Sequence, residues 1–348
     1  MRPLKMEPVF KERLWGGRRL AEVLGKPLPT GRAIGESWEL ADHPHGQSRV
    51  AEGPLAGRTL REVLQQDAEA VLGEEGPAPG TPRPFPLMVK FLDAADRLSV
   101  QVHPSSGGAG AEGREGGKTE CWVVLHADPG AWVVEGLASG TTLAGVGAAV
   151  DEGRLPDLLH VRPVSAGDFV WVPAGLVHAA GPGLLLAEVQ QTSNLTYRLF
   201  DWDRVGPDGV ARPLHVREAL EAVRLEGQLP PSGGRGTVCR ESGLLLESLV
   251  ASPAFTLARV GLEGRGWTAS TERAWAVVVA LAGTGRLVTD DAETPLKAGE
   301  TVLMPARAGW YRLEASEALS VLVAAPPGRG PALSGGWGPP PDASKGVS

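Results

Sequence analysis

Between Leu98 and Pro104 the chain reads Leu-Ser-Val-Gln-Val-His-Pro, and no other stretch constrains the fold as tightly. Leu98, Val100 and Val102 alternate with Ser99, Gln101 and His103, the period of a strand, in which every second side chain shares a face. The apolar face belongs in a core. The other face carries hydrogen-bonding and metal-capable groups, so it borders a cavity rather than a dry interior. Pro104 ends the ladder because it has no N–H to donate. Two further stretches have the same character. Lys118-Thr-Glu-Cys-Trp122 runs into the apolar Val123-Val-Leu125, a strand with Glu120 near its start. Gly167-Asp-Phe-Val-Trp-Val-Pro173-Ala-Gly175-Leu-Val-His178 reads as a strand, a tight turn and a histidine opening the next strand.

Gln101, His103, Glu120 and His178 together offer two imidazoles, a carboxylate and an amide oxygen. Mixed donors of this kind with an open position describe a catalytic zinc site, or one for another divalent first-row metal. Taken singly, each residue is explained as well by a hydrogen-bonded structural role; the joint pattern carries the reading. The spacing Gly-x5-Pro-x-Gly-x2-His resembles the second motif of the cupin barrels. The first cupin motif is partly present, with a longer loop between His103 and Glu120. The expected fold class is mainly β: cupin (double-stranded β-helix, jelly-roll) barrels with a small helical insertion.

The resemblance narrows further on LSVQVHP, GKTECW, VPAGLVHA and the run from Gln190 through Asn194, Tyr197, Arg198, Asp201 and Asp203 to Arg204. With Leu14-Trp-Gly-Gly17 and Gly35-Glu-Ser-Trp-Glu39, these are similar to the zinc-dependent type I mannose-6-phosphate isomerases of the shorter bacterial kind, over the first 215 residues or so. The resemblance implies an aldose–ketose isomerase that interconverts D-mannose 6-phosphate and D-fructose 6-phosphate through a cis-enediol, with one zinc ion per chain. It implies Gln101, His103, Glu120 and His178 as metal ligands, Gln101 being the weakest donor. Arg198 matches the family's catalytic arginine, whose permanent charge and planar fork suit an enediolate. Lys118, two residues before Glu120, is placed for proton movement or a sugar hydroxyl. Ser99 is placed for a hydroxyl or phosphate contact, and Arg204 falls where relatives carry a basic residue linked to phosphate. From composition alone, Arg198 and Arg204 are equally explained as partners of Asp201 and Asp203 on a solvated loop. Two alternatives to the isomerase stand beside it: an inactive cupin that binds or senses a sugar phosphate, and an isomerase of another sugar.

The formal charge of −7 and the lack of a basic run argue against nucleic acid as a partner, so a phosphorylated substrate needs a local basic pocket. No apolar run approaches a membrane span or a signal-peptide core, and Cys121 and Cys239 suggest no disulfide framework. These features point to a cytoplasmic enzyme, a monomer or homodimer, that acts on a small molecule. Cys121 is expected in the core, facing away from Glu120. His43 and His45 read as solvated loop residues, and Glu188 and Gln190 as the cavity side of a buried strand.

The expected organisation is a metal-binding catalytic unit over residues 1–225, with helices near 59–73, 141–160 and 215–224. A linker follows over 226–242, then a cupin-like β unit without metal ligands over 243–325, and a disordered tail over 326–348. Loops are expected over 74–84 and, as a mobile Gly-rich rim, over 105–117. The second β unit repeats the pattern of the first: Gly299-Glu-Thr-Val-Leu-Met-Pro305 matches Gly167 to Pro173, with Trp310 where the first copy has His178.

Overall fold

The computed structural model describes residues 1–73, 84–105, 116–225 and 238–329. The residues expected as loops over 74–83 and 106–115, and most of the linker and the tail, lie outside them. The fold is mainly β and of the cupin type, built from antiparallel sheets.

Two sheets face each other in the first half. The six-stranded one includes the strands Ile34–Leu40, Leu87–Ala94, Glu120–Ala127, Phe169–Val172 and Leu184–Gln191. The five-stranded one includes Val100–Val102, Trp132–Leu137, Leu159–Pro163, His178–Ala180 and Tyr197–Phe200. The alternation at 98–104 gives a strand of only three residues, because Leu98, Ser99 and His103 run past the ends of the ladder. Val100 and Val102 are fully buried among Val177, Ala179 and Leu199, each worth about 1.5–3 kcal/mol relative to exposure. That burial fixes which way Gln101 faces.

The repeat seen in the sequence is a repeat of geometry. Gly167 and Gly299 have φ of +92° and +84°, strands begin two residues later at Phe169 and Thr301, and His178 and Trp310 each open the following strand. Trp310 is exposed, so the second copy puts an indole at the surface where the first puts a buried imidazole.

The two halves share a sheet and a core. Leu4–Glu7 pairs with Thr301–Met304 on one side and with Arg49–Val50 on the other, extending the ten-stranded sheet of the second half. One apolar cluster runs from Leu4, Leu60 and Phe91 to Phe255, Trp275 and Leu303, and the rings of Phe85 and Trp275 meet edge to face at 5.0 Å. Buried Lys26 crosses the seam, 2.6 Å from Glu39 and donating to the Gly299 carbonyl at 2.5 Å. The linker expectation is corrected at its end: Val238–Glu241 is a strand paired with Leu244–Ala251, since its alternation matches the neighbouring apolar run.

Helices form near 60, 143 and 216; the second is shorter than expected, and Arg19–Glu22 adds a single turn that the expectation does not include. Leu60–Leu72 is opened by a capping box in which Thr59 Oγ1 accepts from Glu62 N (3.1 Å) and Glu62 accepts from Thr59 N (2.7 Å). Thr59→Ala is expected to lower stability by about 1 kcal/mol without changing activity, read by urea denaturation. Gly73 ends the helix at φ +65°, with the Arg273 carbonyl so close that a side chain has no room. Val216–Ala222 forms the last helix, starting just after His215. The expected helix over 141–160 stops at Asp151, at the end of Leu143–Asp151. Gly153 at φ +69° and Pro156 break it, and Leu155–Leu158 forms a single 3-10 turn before the strand Leu159–Pro163.

Candidate metal centre and the cavity around it

The short strand Val100–Val102 lies between two neighbours, and Gln101 is directly opposite His178 on one and Arg198 on the other. Residues in register across a sheet project to the same side, so these three form a row. His103 follows on the same strand. Glu120 comes from the facing sheet, at the start of its strand, opposite Val172 and Gln190. The centre therefore sits between the sheets, and neither sheet alone supplies it.

The ligand atoms of His103, Glu120 and His178 lie within 4.8 Å of one another, and all three residues are buried. Both imidazoles are oriented from behind. His103 Nδ1 donates to the Leu195 carbonyl at 2.9 Å and His178 Nδ1 to the Leu176 carbonyl at 2.8 Å. A carbonyl can only accept, so each ring carries its proton on Nδ1 and presents the Nε2 lone pair. Those Nε2 atoms stand 3.4 Å from Glu120 Oε2 and Oε1 respectively. Burial, helped by the Lys118 charge, pushes the His103 pKa down to about 3, and burial likewise lowers that of His178. Both are neutral, the form that binds a metal.

Burial acts to raise the Glu120 pKa, but the charges of Lys118, His103 and His178 outweigh it and hold the carboxyl well below the usual range. Lys118 Nζ lies 2.5 Å from Glu120 Oε2 and 3.1 Å from His103 Nε2. Lys118 thus serves Oε2, while Oε1 has no hydrogen-bond donor among the described residues. A fully buried carboxylate whose two oxygens also face two imidazole lone pairs leaves a centre of converging donor atoms. A divalent cation suits that centre, so the residues fit a metal on their own chemistry.

Gln101 completes the ring in a different pose. Its Nε2 is 3.2 Å from His178 Nε2, and its Oε1 accepts from Ser99 Oγ at 3.2 Å. A half-turn of the amide exchanges these atoms, brings the oxygen to the centre and leaves the N–H to the Ser99 hydroxyl, which can accept as well as donate. Cys121 faces the other way, 1% exposed, with Sγ toward the Val189 carbonyl.

The row opens on a cavity of about 810 Å³ bordered by Ser99, Gln101, Lys118, Glu188 and Arg198. Glu188 is on the cavity side as the strand period predicts, paired with Lys90 at 3.0 Å and accepting from Trp122 Nε1 at 3.0 Å. Gln190, on the same face, accepts from Lys90 Nζ at 2.5 Å. Arg198 donates from Nη1 to the Pro213 carbonyl at 2.8 Å, and its Nε meets no acceptor among the described residues. Its backbone is held by His215, through Arg198 O and Arg198 N. Trp15 and Glu36 also border the cavity, within two of the stretches that carried the resemblance.

Arg204 is not among the cavity-lining residues. Its guanidinium is taken by Asp96 (3.1 Å), the Arg97 carbonyl (2.7 Å) and Asp201 (2.7 Å). Arg212, which no sequence motif singles out, borders the cavity instead. No local spacing signals it, since its placement depends on a turn that folds back at residues 205–211. His43 is also unlike its expectation. It is 4% exposed, on the hairpin Asp42–Gln47, with its ring against His45 and Trp38, because the hairpin packs over the barrel wall.

A family model described as the phosphomannose isomerase type I catalytic domain matches residues 4–114. The chain is 36% identical over 315 residues to the mannose-6-phosphate isomerase ManA of Bacillus subtilis, covering 90% of this chain and 96% of that protein. It is 34% identical over 305 residues to the mannose-6-phosphate isomerase of Streptococcus mutans, covering 87% and 92%. The crystal structure of the mannose 6-phosphate isomerase from Bacillus subtilis matches with a TM-score of 0.82 at 30% identity, over 93% of this chain and 99% of that one.

Proposed function

This chain belongs to the type I phosphomannose isomerase family, and on that premise we infer that it is an aldose–ketose isomerase interconverting D-mannose 6-phosphate and D-fructose 6-phosphate. The observation that carries the reading is the buried cluster of His103, Glu120 and His178 directly behind Gln101 and Lys118, which border the cavity together with Arg198. We assign zinc as the metal, held by Gln101, His103, Glu120 and His178. Bound there, it supplies a Lewis acid for the carbonyl end of the sugar.

The isomerisation takes a proton from C2, returns one to C1, and shifts another from O2 to O1, so nothing is gained or lost overall. Charge on the two oxygens peaks between these transfers. Arg198 is the wall cation without a carboxylate partner, and its fixed charge stabilises an enediolate at the end of the cavity next to Gln101. Lys118 keeps its proton in the folded protein: burial acts to lower its pKa, and the charges of Glu120 and Glu188 overcome that and raise it. Its ammonium is placed to donate to a sugar oxygen at the cavity wall. Ser99 fixes the Gln101 amide and so acts on the sugar through it. The half of the chain over 243–325 carries no His/Cys/Asp/Glu cluster among its described residues, and we assign it a structural role through the shared core.

The test is a coupled assay for fructose 6-phosphate from mannose 6-phosphate, with and without a chelator. Turnover lost on chelation and restored by zinc is the expected result. Metal-replete protein that stabilises with substrate but never turns it over would point to a binding protein instead. Turnover indifferent to chelation would remove the metal from the reading.

A further inference from the structure

Five cations border the cavity, and their partners separate them. Arg13 forks onto Glu36 at 2.8 and 3.0 Å. Lys90 is paired with Glu188 and Lys118 with Glu120. The Arg198 guanidinium donates to the Pro213 carbonyl and meets no carboxylate among the described residues. Arg212 spends Nε and Nη2 on the two oxygens of Asp201, at 2.8 and 2.5 Å, and its Nη1 has no partner among the described residues. Asp201 is shared, because Arg204 also donates to it at 2.7 Å. Arg204 has Asp96 as well, at 3.1 Å, so of the five cavity cations only Arg198 has no carboxylate partner among the described residues. Arg198 and Arg212 stand on the same cavity wall, one without a carboxylate and the other with Nη1 unspent. The Arg198 pKa is lowered by burial first and by the Arg212 charge next, as expected of two guanidiniums that feel each other.

We propose that Arg212 seats the phosphate of the substrate, and that Asp201 is a positioning residue that holds the Arg212 fork in place. The proposal rests on the isomerase reading for the identity of the substrate, but the anion site can be tested without it. A phosphate dianion offers several oxygens at the spacing of a guanidinium edge, and charge-assisted bonds of this kind are the strong ones. Arg204 then works behind the wall. It ties Asp201 to Asp96 and the Arg97 carbonyl, bracing a turn in which Trp202 and Asp203 hold φ of 60° and 54°. Left-handed non-glycine residues in succession persist only where their surroundings fix them. The arrangement also orients the sugar, with C1 and C2 toward Gln101 and Lys118 and C6 toward Arg212.

The test compares Arg212→Gln, Arg212→Lys, Asp201→Asn and Arg204→Gln with the wild type, all metal-loaded. Arg212→Gln is expected to raise KM for mannose 6-phosphate and the inhibition constant of inorganic phosphate by about 10- to 100-fold, with kcat within about threefold. Arg212→Lys is expected to fall between, since it keeps the charge and loses the fork, and it decides the matter if the glutamine variant does not fold. Asp201→Asn is expected to raise KM more than it lowers kcat; a fall in Tm with KM unchanged would remove its positioning role. Arg204→Gln is expected to lower Tm with a smaller change in KM. Unchanged KM and phosphate inhibition in both Arg212 variants would overturn the proposal. The shift in Tm caused by inorganic phosphate gives a readout free of turnover. A shift in the wild type that Arg212→Gln loses, in a protein without isomerase activity, would keep the anion site and sink the isomerase reading.

Discussion

His178→Ala is expected to lose metal and turnover together. His178 Nε2 stands 3.4 Å from Glu120 Oε1, with Nδ1 locked to the Leu176 carbonyl, so the ring presents Nε2 to the centre. Removing a residue that only orients a ligand typically costs about 10- to 100-fold in affinity, and removing the ligand itself costs more. Metal analysis after gel filtration should find a stoichiometry far below that of the wild type, and the coupled assay should read background. The ring is fully buried against Trp122, so truncation also leaves a cavity, and a loss of about 1–3 kcal/mol in stability is expected from that alone. Circular dichroism separates the two effects. A folded, metal-free His178→Ala protein with wild-type activity would remove this centre from the reaction.

Arg198→Gln is expected to cut kcat by about 10²- to 10³-fold while the metal content stays at the wild-type level. Arg198 is next to Gln101 in the sheet, gives one hydrogen bond to Pro213 O, and borders the cavity, so a charge that develops there during the reaction meets its fixed positive charge. Arg198→Lys is expected to recover part of the rate, since the charge remains and the planar fork does not. If both variants keep wild-type kcat and change only KM, Arg198 belongs with Arg212 as a phosphate contact and the enediolate is stabilised elsewhere.

Much of the centre is legible in the amino-acid order. The alternation at 98–103 puts Ser99, Gln101 and His103 on one side, and all three belong to the centre or its cavity wall. The Gly-x5-Pro spacing places His178 at the head of a strand, and the same spacing shows the second unit with Trp310 in that place. Cys121 faces the core because its neighbour Glu120 faces the centre. Helix starts are readable from Thr59 and from the pair Thr141 and Thr142, of which the structure uses Thr142 as the cap. The end at Asp151 is not, because Leu155, Leu158 and Leu159 continue an apolar spacing that a 3-10 turn and a strand satisfy equally well.

The sequence by itself determined what depends on near neighbours: which faces of each strand are polar, and where glycine and proline turn the chain. The tertiary structure decided what depends on residues far apart in the chain. Leu4–Glu7 crosses to the sheet of the second half, His103 takes its tautomer from Leu195, and Arg212 rather than Arg204 borders the cavity. Periodicity reports the direction of a side chain relative to its own backbone, and that is a local property. Which cation is neutralised and which is left facing a cavity depends on the sum of all packed charges around it. Here a single carboxylate, Asp201, divides two arginines between support and site.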